Sequence, residues 1–362
     1  MTTNRTIQSP YMRWAKSNFH ARYNLANSGL MSYKLSQLPV QINDLELTGS
    51  HHYGYEPLLY EIEKKYNVPK DNIFTTLGTS FANFMALSVL FEPGAEILIE
   101  HPTYELIISA AEYIGYKVKR FYRRFEDGFQ IDIHSLKKDI TPKTKLIVLT
   151  NLHNPSSVYT DDDTLKEIGK IAKSVGAYVF VDEVYLDSAF NLSPRSSFHL
   201  DDNFIVTSSL TKVYGMSGIR CGYVFAEREL IKKMWLLNDL FYVKHAYAAE
   251  QLAVIAFKYL REITEWSKDV LSKNHAELNL FMQKQNELEA ITPGYGTTLF
   301  IRSKNVDSDQ LSDILIKHYD TAITPGRFFE IPQFFRIGLG CEPCDFAEGI
   351  ARVRQAILQL KT

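Results

Sequence analysis

Five short runs of this chain are apolar at nearly every position: residues 96–100, 145–150, 177–182, 204–207 and 222–225. Runs without an alternating polar face suit strands covered on both sides, so they predict a mainly parallel sheet flanked by helices. Helical patterning lies between them, as in residues 161–175, which open on acidic side chains suited to the positive end of a helix. Alternation of this kind predicts an α/β fold. Beyond about residue 245 the texture changes: a long helical pattern over 247–287, short strand-like pieces at 296–302 and 334–338, and a final amphipathic helix over 345–360. The expected organisation is a large domain over residues 46–245, with residues 246–362 and an N-terminal arm, 1–45, forming a smaller α+β domain. No repeat or low-complexity segment interrupts the pattern.

Composition narrows the class without deciding it. A chain of 362 residues, 45% hydrophobic and 23% charged, is ordinary globular material long enough for more than one core. A formal charge of −2 gives no reason to expect nucleic acid or an anionic membrane as partner. No apolar run reaches the length of a membrane span, and the first sixteen residues lack a signal core, so a cytoplasmic protein is expected. Three cysteines fit a reducing compartment. Cys341-Glu-Pro-Cys344 has a C-x-x-C spacing, but without a second ligand pair it reads as coincidence or a redox pair, and no metal site is expected.

The chemistry sits at the carboxyl ends of the predicted strands, where open parallel sheets bind ligands. Ser209-Leu-Thr-Lys212-Val-Tyr-Gly-Met-Ser-Gly-Ile-Arg220 sets one lysine among small residues, with an arginine eight positions on. An accessible lysine amine condenses with aldehydes, and the planar guanidinium grips two phosphate oxygens, so the pair suggests an imine between Lys212 and a phosphate-bearing aldehyde. Asp182 closes an apolar run, where a carboxylate either pairs with a pyridinium nitrogen or caps a helix. Tyr185 stands one turn on, within reach of the phenolic oxygen of such a ring. Asn154-Pro155 is either a plain turn or an amide aimed at that same oxygen. Gly78-Thr79-Ser80 reads as a strand, a tight glycine turn and a helix start whose free N–H groups make an anion site, shared with Ser209 and Arg220. Tyr104, after His101-Pro102, is placed to stack on an aromatic ring.

The ordered set Gly78-Thr-Ser, Tyr104, Asn154-Pro, Asp182-x-x-Tyr185 and Ser209-x-x-Lys212 with Arg220 resembles the fold-type I, class I/II aminotransferases that use pyridoxal 5′-phosphate, in particular the aspartate aminotransferase-like subgroup. The resemblance extends to Tyr53-Gly-Tyr-Glu-Pro and spans nearly the whole chain. It implies an enzyme moving an amino group from an L-amino acid to a 2-oxo acid, with Lys212 as cofactor tether and proton carrier, assisted by Asp182 and Tyr104. It further implies that Arg336 holds the substrate carboxylate beside Asn154, with Arg327 a weaker match. Asn27-Ser28-Gly29 matches the family's gate, which puts Gly29 at the substrate. Such enzymes are usually homodimers, and Tyr53 is the match for a tyrosine that reaches the partner's phosphate site, with His52 and Tyr55 as alternatives. Ser157 departs from the pattern, standing where the family has glycine. A β-lyase or decarboxylase on the same fold is the main alternative. A cofactor-sensing regulator would need a basic DNA-binding segment that residues 1–45 do not supply.

Overall fold

The computed structural model describes residues 7–50 and 52–360. An N-terminal arm carries helix α1 (Pro10–Ser17) and the short strand β1 (Tyr23–Asn24). Helix α2 (Glu56–Tyr66) leads to β2 (Ile73–Leu77), α3 (Thr79–Val89), β3 (Glu96–His101), α4 (Glu105–Ile114) and β4 (Lys117–Tyr122). Then follow α5 (Ile133–Asp139), β5 (Thr144–Thr150), α6 (Asp162–Lys173), β6 (Tyr178–Asp182), β7 (Phe204–Ser209), β8 (Cys221–Phe225) and α7 (Arg228–Asn238). Strands β2 to β8 form one seven-stranded sheet in the order β2-β8-β7-β6-β5-β3-β4. Only β8 runs against its neighbours.

The apolar runs behave as predicted because both sheet faces are covered. Successive side chains of a strand point to opposite faces. Leu98, Ile147, Val179 and Val206 enter one core, while Ile97, Val148, Phe180 and Ile205 enter the other. Strand β4, Lys-Val-Lys-Arg-Phe-Tyr, lacked such a run because it is an edge strand, and charged positions suit an exposed edge.

The helical stretch expected over 247–287 is two helices, α8 (Tyr247–Lys258) and α9 (Leu260–Gln283), broken at Tyr259. Ala253, Ala256 and Phe257 of α8 pack into the core beneath the seven-stranded sheet. The chain continues through β9 (Leu288–Ala290), β10 (Thr298–Ser303), α10 (Ser308–Tyr319), β11 (Thr321–Ala322), β12 (Thr324–Pro325), β13 (Phe334–Gly338) and α11 (Pro343–Gln359). Here β12-β13-β10-β9 make a four-stranded antiparallel sheet, and β1 of the arm pairs with β11. Leu25 and Leu30 of the arm join the apolar cluster of this C-terminal unit. Residues 23–30 of the arm are therefore tied to the C-terminal unit.

Candidate active site

Pairing register sets the site. Thr150, Asp182 and Thr207 lie side by side across β5, β6 and β7, and Ser209 pairs with Gly222 of β8. Chain leaving these ends surrounds a cavity of about 520 Å³ lined by Gly29, Thr79, Ser80, Tyr104, Asn154, Asp182, Tyr185, Lys212 and Arg220. Nine of the residues singled out in the sequence thus meet in one place.

Asp182 is buried and accepts hydrogen bonds from Asn83 Nδ2 at 2.9 Å and the Val184 amide at 3.1 Å. Asn83 is itself oriented by the Thr207 hydroxyl, which donates to its Oδ1 at 2.8 Å. Burial pushes the Asp182 carboxyl up to about 6, against the pull of the Asn83 bond and the Lys212 charge. Opposite it, burial brings the Lys212 amine down to about 8, helped by Arg336 and Arg220 and opposed by Asp182. Acid and base are thereby drawn toward neutrality from opposite sides, the pattern of groups suited to proton transfer.

The Lys212 amine donates to Ser28 Oγ at 3.0 Å, and Tyr185 Oη donates to the same oxygen at 2.8 Å. The Leu30 amide donates to the Lys212 carbonyl at 2.8 Å. A Cβ on Gly29 would come within 3.1 Å of Lys212 Cδ, so this glycine lets the arm lie directly on the lysine.

At one end, Gly78 precedes α3 with φ of 80° and no side-chain cap, leaving the first N–H groups of the helix open to the cavity. Thr79 Oγ1 donates to Ser209 Oγ at 2.8 Å. Arg220 folds over this turn and donates to Leu77 O at 3.0 Å and Ser217 O at 3.2 Å. A Cβ on Gly78 would fall 2.5 Å from Arg220 Nη2, so only glycine admits the guanidinium there.

At the other end, Arg336 is fully buried on β13. It donates to Asn154 Oδ1 at 3.0 Å, Tyr11 Oη at 3.1 Å and Ala26 O at 3.1 Å, and its Nε has no partner. No carboxylate pairs with Arg336 among the described residues, so a cation is held in the protein interior by neutral oxygens alone. Asn154 is fixed in turn by Thr150, whose hydroxyl accepts from the Asn154 backbone N–H at 2.7 Å and donates to the buried Glu100 at 2.7 Å. Tyr104 meets Tyr11 edge-on at 5.8 Å, which brings α1 over the cavity.

Two sequence candidates lie apart. Arg327 pairs with Asp309 and covers the Phe328 ring. Tyr53, 54% exposed, packs on Trp235 away from the cavity of its own chain. Ser157 adopts the left-handed conformation a glycine would favour, with φ of 60°. Its hydroxyl donates to Thr298 O at 2.8 Å, and Gly296 leaves the room, since a Cβ there would meet Ser157 at 2.5 Å. Asn83, Tyr11 and Thr150 escaped the sequence reading, and Ser28 entered it only as part of the Asn27-Ser28-Gly29 gate, with no role toward Lys212. Of the first three, only Asn83 carried a signal, one helical turn beyond Thr79 on the same face of α3. Among the described residues, no group of three His, Cys, Asp or Glu side chains is placed to hold a metal ion. No helix among them is long and apolar enough to cross a membrane.

Comparison with known proteins gives the family and the fold. The profile of the aminotransferase class I and II family matches residues 47–353. A probable aspartate aminotransferase of Methanocaldococcus jannaschii is 32% identical over 210 residues, which span 55% of each chain. Capreomycidine synthase of Streptomyces vinaceus is 22% identical over 363 residues, 96% of this chain and 93% of that one. A PLP-dependent aminotransferase from Streptococcus suis superposes with a TM-score of 0.91 at 25% identity, covering 99% of both chains. The chain belongs to the class I and II aminotransferases, and it has their fold-type I architecture.

Proposed function

We propose that this chain binds pyridoxal 5′-phosphate in the cavity and moves an amino group from an L-amino acid to a 2-oxo acid. The observation that carries the reading is Lys212 facing Asp182, the amine at about 8 and the carboxyl at about 6, between two separate anion sites. The residues fit the cofactor. Uncapped amides at Gly78–Ser80, the Ser209 hydroxyl and Arg220 suit a phosphate. Asp182, the one carboxylate lining the cavity among the described residues, suits a ring nitrogen, and Asn154 and Tyr185 suit its phenolic oxygen, with Tyr104 at the ring face. When bound, the cofactor supplies a carbonyl for amines and a ring that withdraws electrons from the substrate Cα.

The rest falls to the chain. Arg336, with Asn154 beside it and the backbone at Gly29 close by, holds the substrate carboxylate. This pairing gives the buried guanidinium the anion it lacks. Lys212 tethers the cofactor. Once released as a free amine, it takes the Cα proton and returns it at the acceptor carbon. Asp182, ionised above about 6, keeps the ring nitrogen protonated. Ile42, Leu47, Leu236 and Leu240, each more than 60% exposed, are covered by a second copy in a homodimer, with Tyr53 directed to the partner's phosphate site. Three free cysteines accord with work in the cytoplasm.

Lys212→Ala tests the reading. We expect a folded protein with no transamination and no lysine-linked cofactor absorbance, whereas turnover at the wild-type rate without added amine sinks it. A second reading, synthase rather than transferase chemistry at the same residues, draws on the likeness to capreomycidine synthase. An amino donor supplied alone separates the two, because only a transferase accumulates the aminated cofactor.

A further inference from the structure

Ser28 reaches Lys212 from the arm together with its neighbours Gly29 and Leu30, and of these three it alone offers a side-chain oxygen. It lies 184 positions away in sequence, yet among the described residues its hydroxyl is the one hydrogen-bond partner of the Lys212 amine. The residue is buried, with 5% exposure. A serine oxygen has two acceptor sites, and here Lys212 takes one at 3.0 Å and Tyr185 the other at 2.8 Å.

The placement does not depend on one side-chain rotamer. Ser28 O accepts from Thr297 Oγ1 at 2.7 Å, which ties the arm to the C-terminal unit. The Leu30 amide is bonded to the Lys212 carbonyl at 2.8 Å, and Gly29 lies against the lysine stem. Arm and lysine are thus fixed to each other on both sides of Ser28. A free lysine amine turns about its last bond and can aim its lone pair in any of three directions. An N–H bond held by a fixed oxygen removes most of that freedom.

We propose that Ser28 is a catalytic residue that receives the Lys212 amine whenever the lysine is released, and aims its lone pair into the cavity. The inference rests on the reading of Lys212 as the proton carrier. In the transfer, the amine gains the Cα proton to become an ammonium and loses it at the acceptor carbon. Ser28 holds a different N–H throughout and neither gains nor loses a proton. Without cofactor Tyr185 donates its one proton to the serine oxygen; where that proton is given to the ring's phenolic oxygen, the Thr297 bond to Ser28 O and the Leu30 bond to Lys212 keep the serine in place.

The test compares Ser28→Ala and Ser28→Thr in the full chain. Without cofactor, reductive ¹³C-methylation and NMR follow the titration of Lys212, identified by its absence in Lys212→Arg. Losing an acceptor that favours the ammonium lowers the Ala variant's midpoint below that of the wild type, and the Thr variant restores it. With cofactor and donor, single-turnover proton transfer in the Ala variant slows roughly 10- to 100-fold, while the donor KM changes less than about threefold. The substrate α-deuterium effect grows, and Thr recovers most of the rate. An unchanged midpoint together with an unchanged single-turnover rate overturns the proposal, as does a loss confined to KM. Should the Ala variant not fold, Ser28→Cys, which keeps the size but offers only a weak acceptor, carries the same comparison. Failure of the parent reading shows separately, as turnover surviving Lys212→Ala.

Discussion

The guanidinium of Arg336 donates to the side-chain oxygen of Asn154 at 3.0 Å, joining strand β13 of the C-terminal sheet to the loop after β5 of the large sheet. The two residues are 182 positions apart, and neither sheet alone contains both. The bond places the fully buried Arg336 next to Asn154, whose backbone N–H is held by Thr150 Oγ1 and, through it, by Glu100. A carboxylate entering here meets a cation already desolvated and already oriented, so it spends little on rearranging the protein.

Arg336→Lys is therefore not a mild change. The lysine keeps the charge but loses the planar fork that reaches Asn154, Tyr11 and Ala26 together. Hydrogen bonds to charged groups contribute about 1.5–3 kcal/mol each, so the donor KM should rise roughly 10- to 100-fold. Binding of pyridoxal phosphate, followed by its absorbance, should change little. A KM within about twofold of wild type would show that the carboxylate binds elsewhere.

Ser157 gives a prediction in stability. A non-glycine residue in the left-handed region costs about 1–2 kcal/mol, here offset by the hydroxyl bonds to Thr298. Ser157→Ala keeps the strained backbone and discards the bonds, so it should destabilise by about 1–2 kcal/mol. Ser157→Gly discards the bonds but relieves the strain, and should lie closer to wild type. Denaturant melts of the two variants decide the matter, and an alanine variant more stable than the glycine one contradicts it.

Glu183 links the fold to pH. It is buried beside Asp182, and its Oε1 accepts from the Ser197 amide at 2.7 Å and the Ser197 hydroxyl at 2.6 Å. Burial pushes its carboxyl from 4.5 up to about 7, with the Ser197 bonds opposing. Between those values the folded chain keeps a proton that the unfolded chain releases, so stability is full below about 4.5 and falls as the pH rises through about 7. Asp182, raised from 3.8 to about 6, acts in the same direction. Glu183→Gln keeps the oxygen that Ser197 needs and removes the titration. Its melting temperature without cofactor should fall less over this pH range than that of the wild type. Equal slopes for the two proteins would exclude Glu183 as a source.

Much of the large sheet was legible because local composition reported burial directly. Val179 and Phe180 are adjacent in sequence and enter opposite cores, so a continuous apolar run was sufficient sign of a doubly covered strand. Strand β4 was silent for the converse reason: at an edge, its lysines and arginine carry no apolar signature. The break at Tyr259 was hidden too, since apolar positions continue through it and only the packing of α8 under the large sheet turns the helix there.

Lys212, Asp182, Asn154, Gly78 and Arg220 could be picked out because each is an unusual residue at the end of a strand, a matter of sequence position and local chemistry. Their assembly around one cavity follows from the register in which β5, β6, β7 and β8 pair. Tyr11 had no such local mark, and Ser28 was marked only as part of the Asn27-Ser28-Gly29 gate, with nothing to tie it to Lys212. A serine and a tyrosine are common residues, and what distinguishes these two is a contact 184 positions away with Lys212 and one 325 positions away with Arg336. Sequence thus determined the sheet, the reactive lysine and its ring of polar partners. Tertiary structure alone decided which hydroxyls touch the amine and the guanidinium, because only closure of the arm against both sheets brings those atoms within hydrogen-bond range.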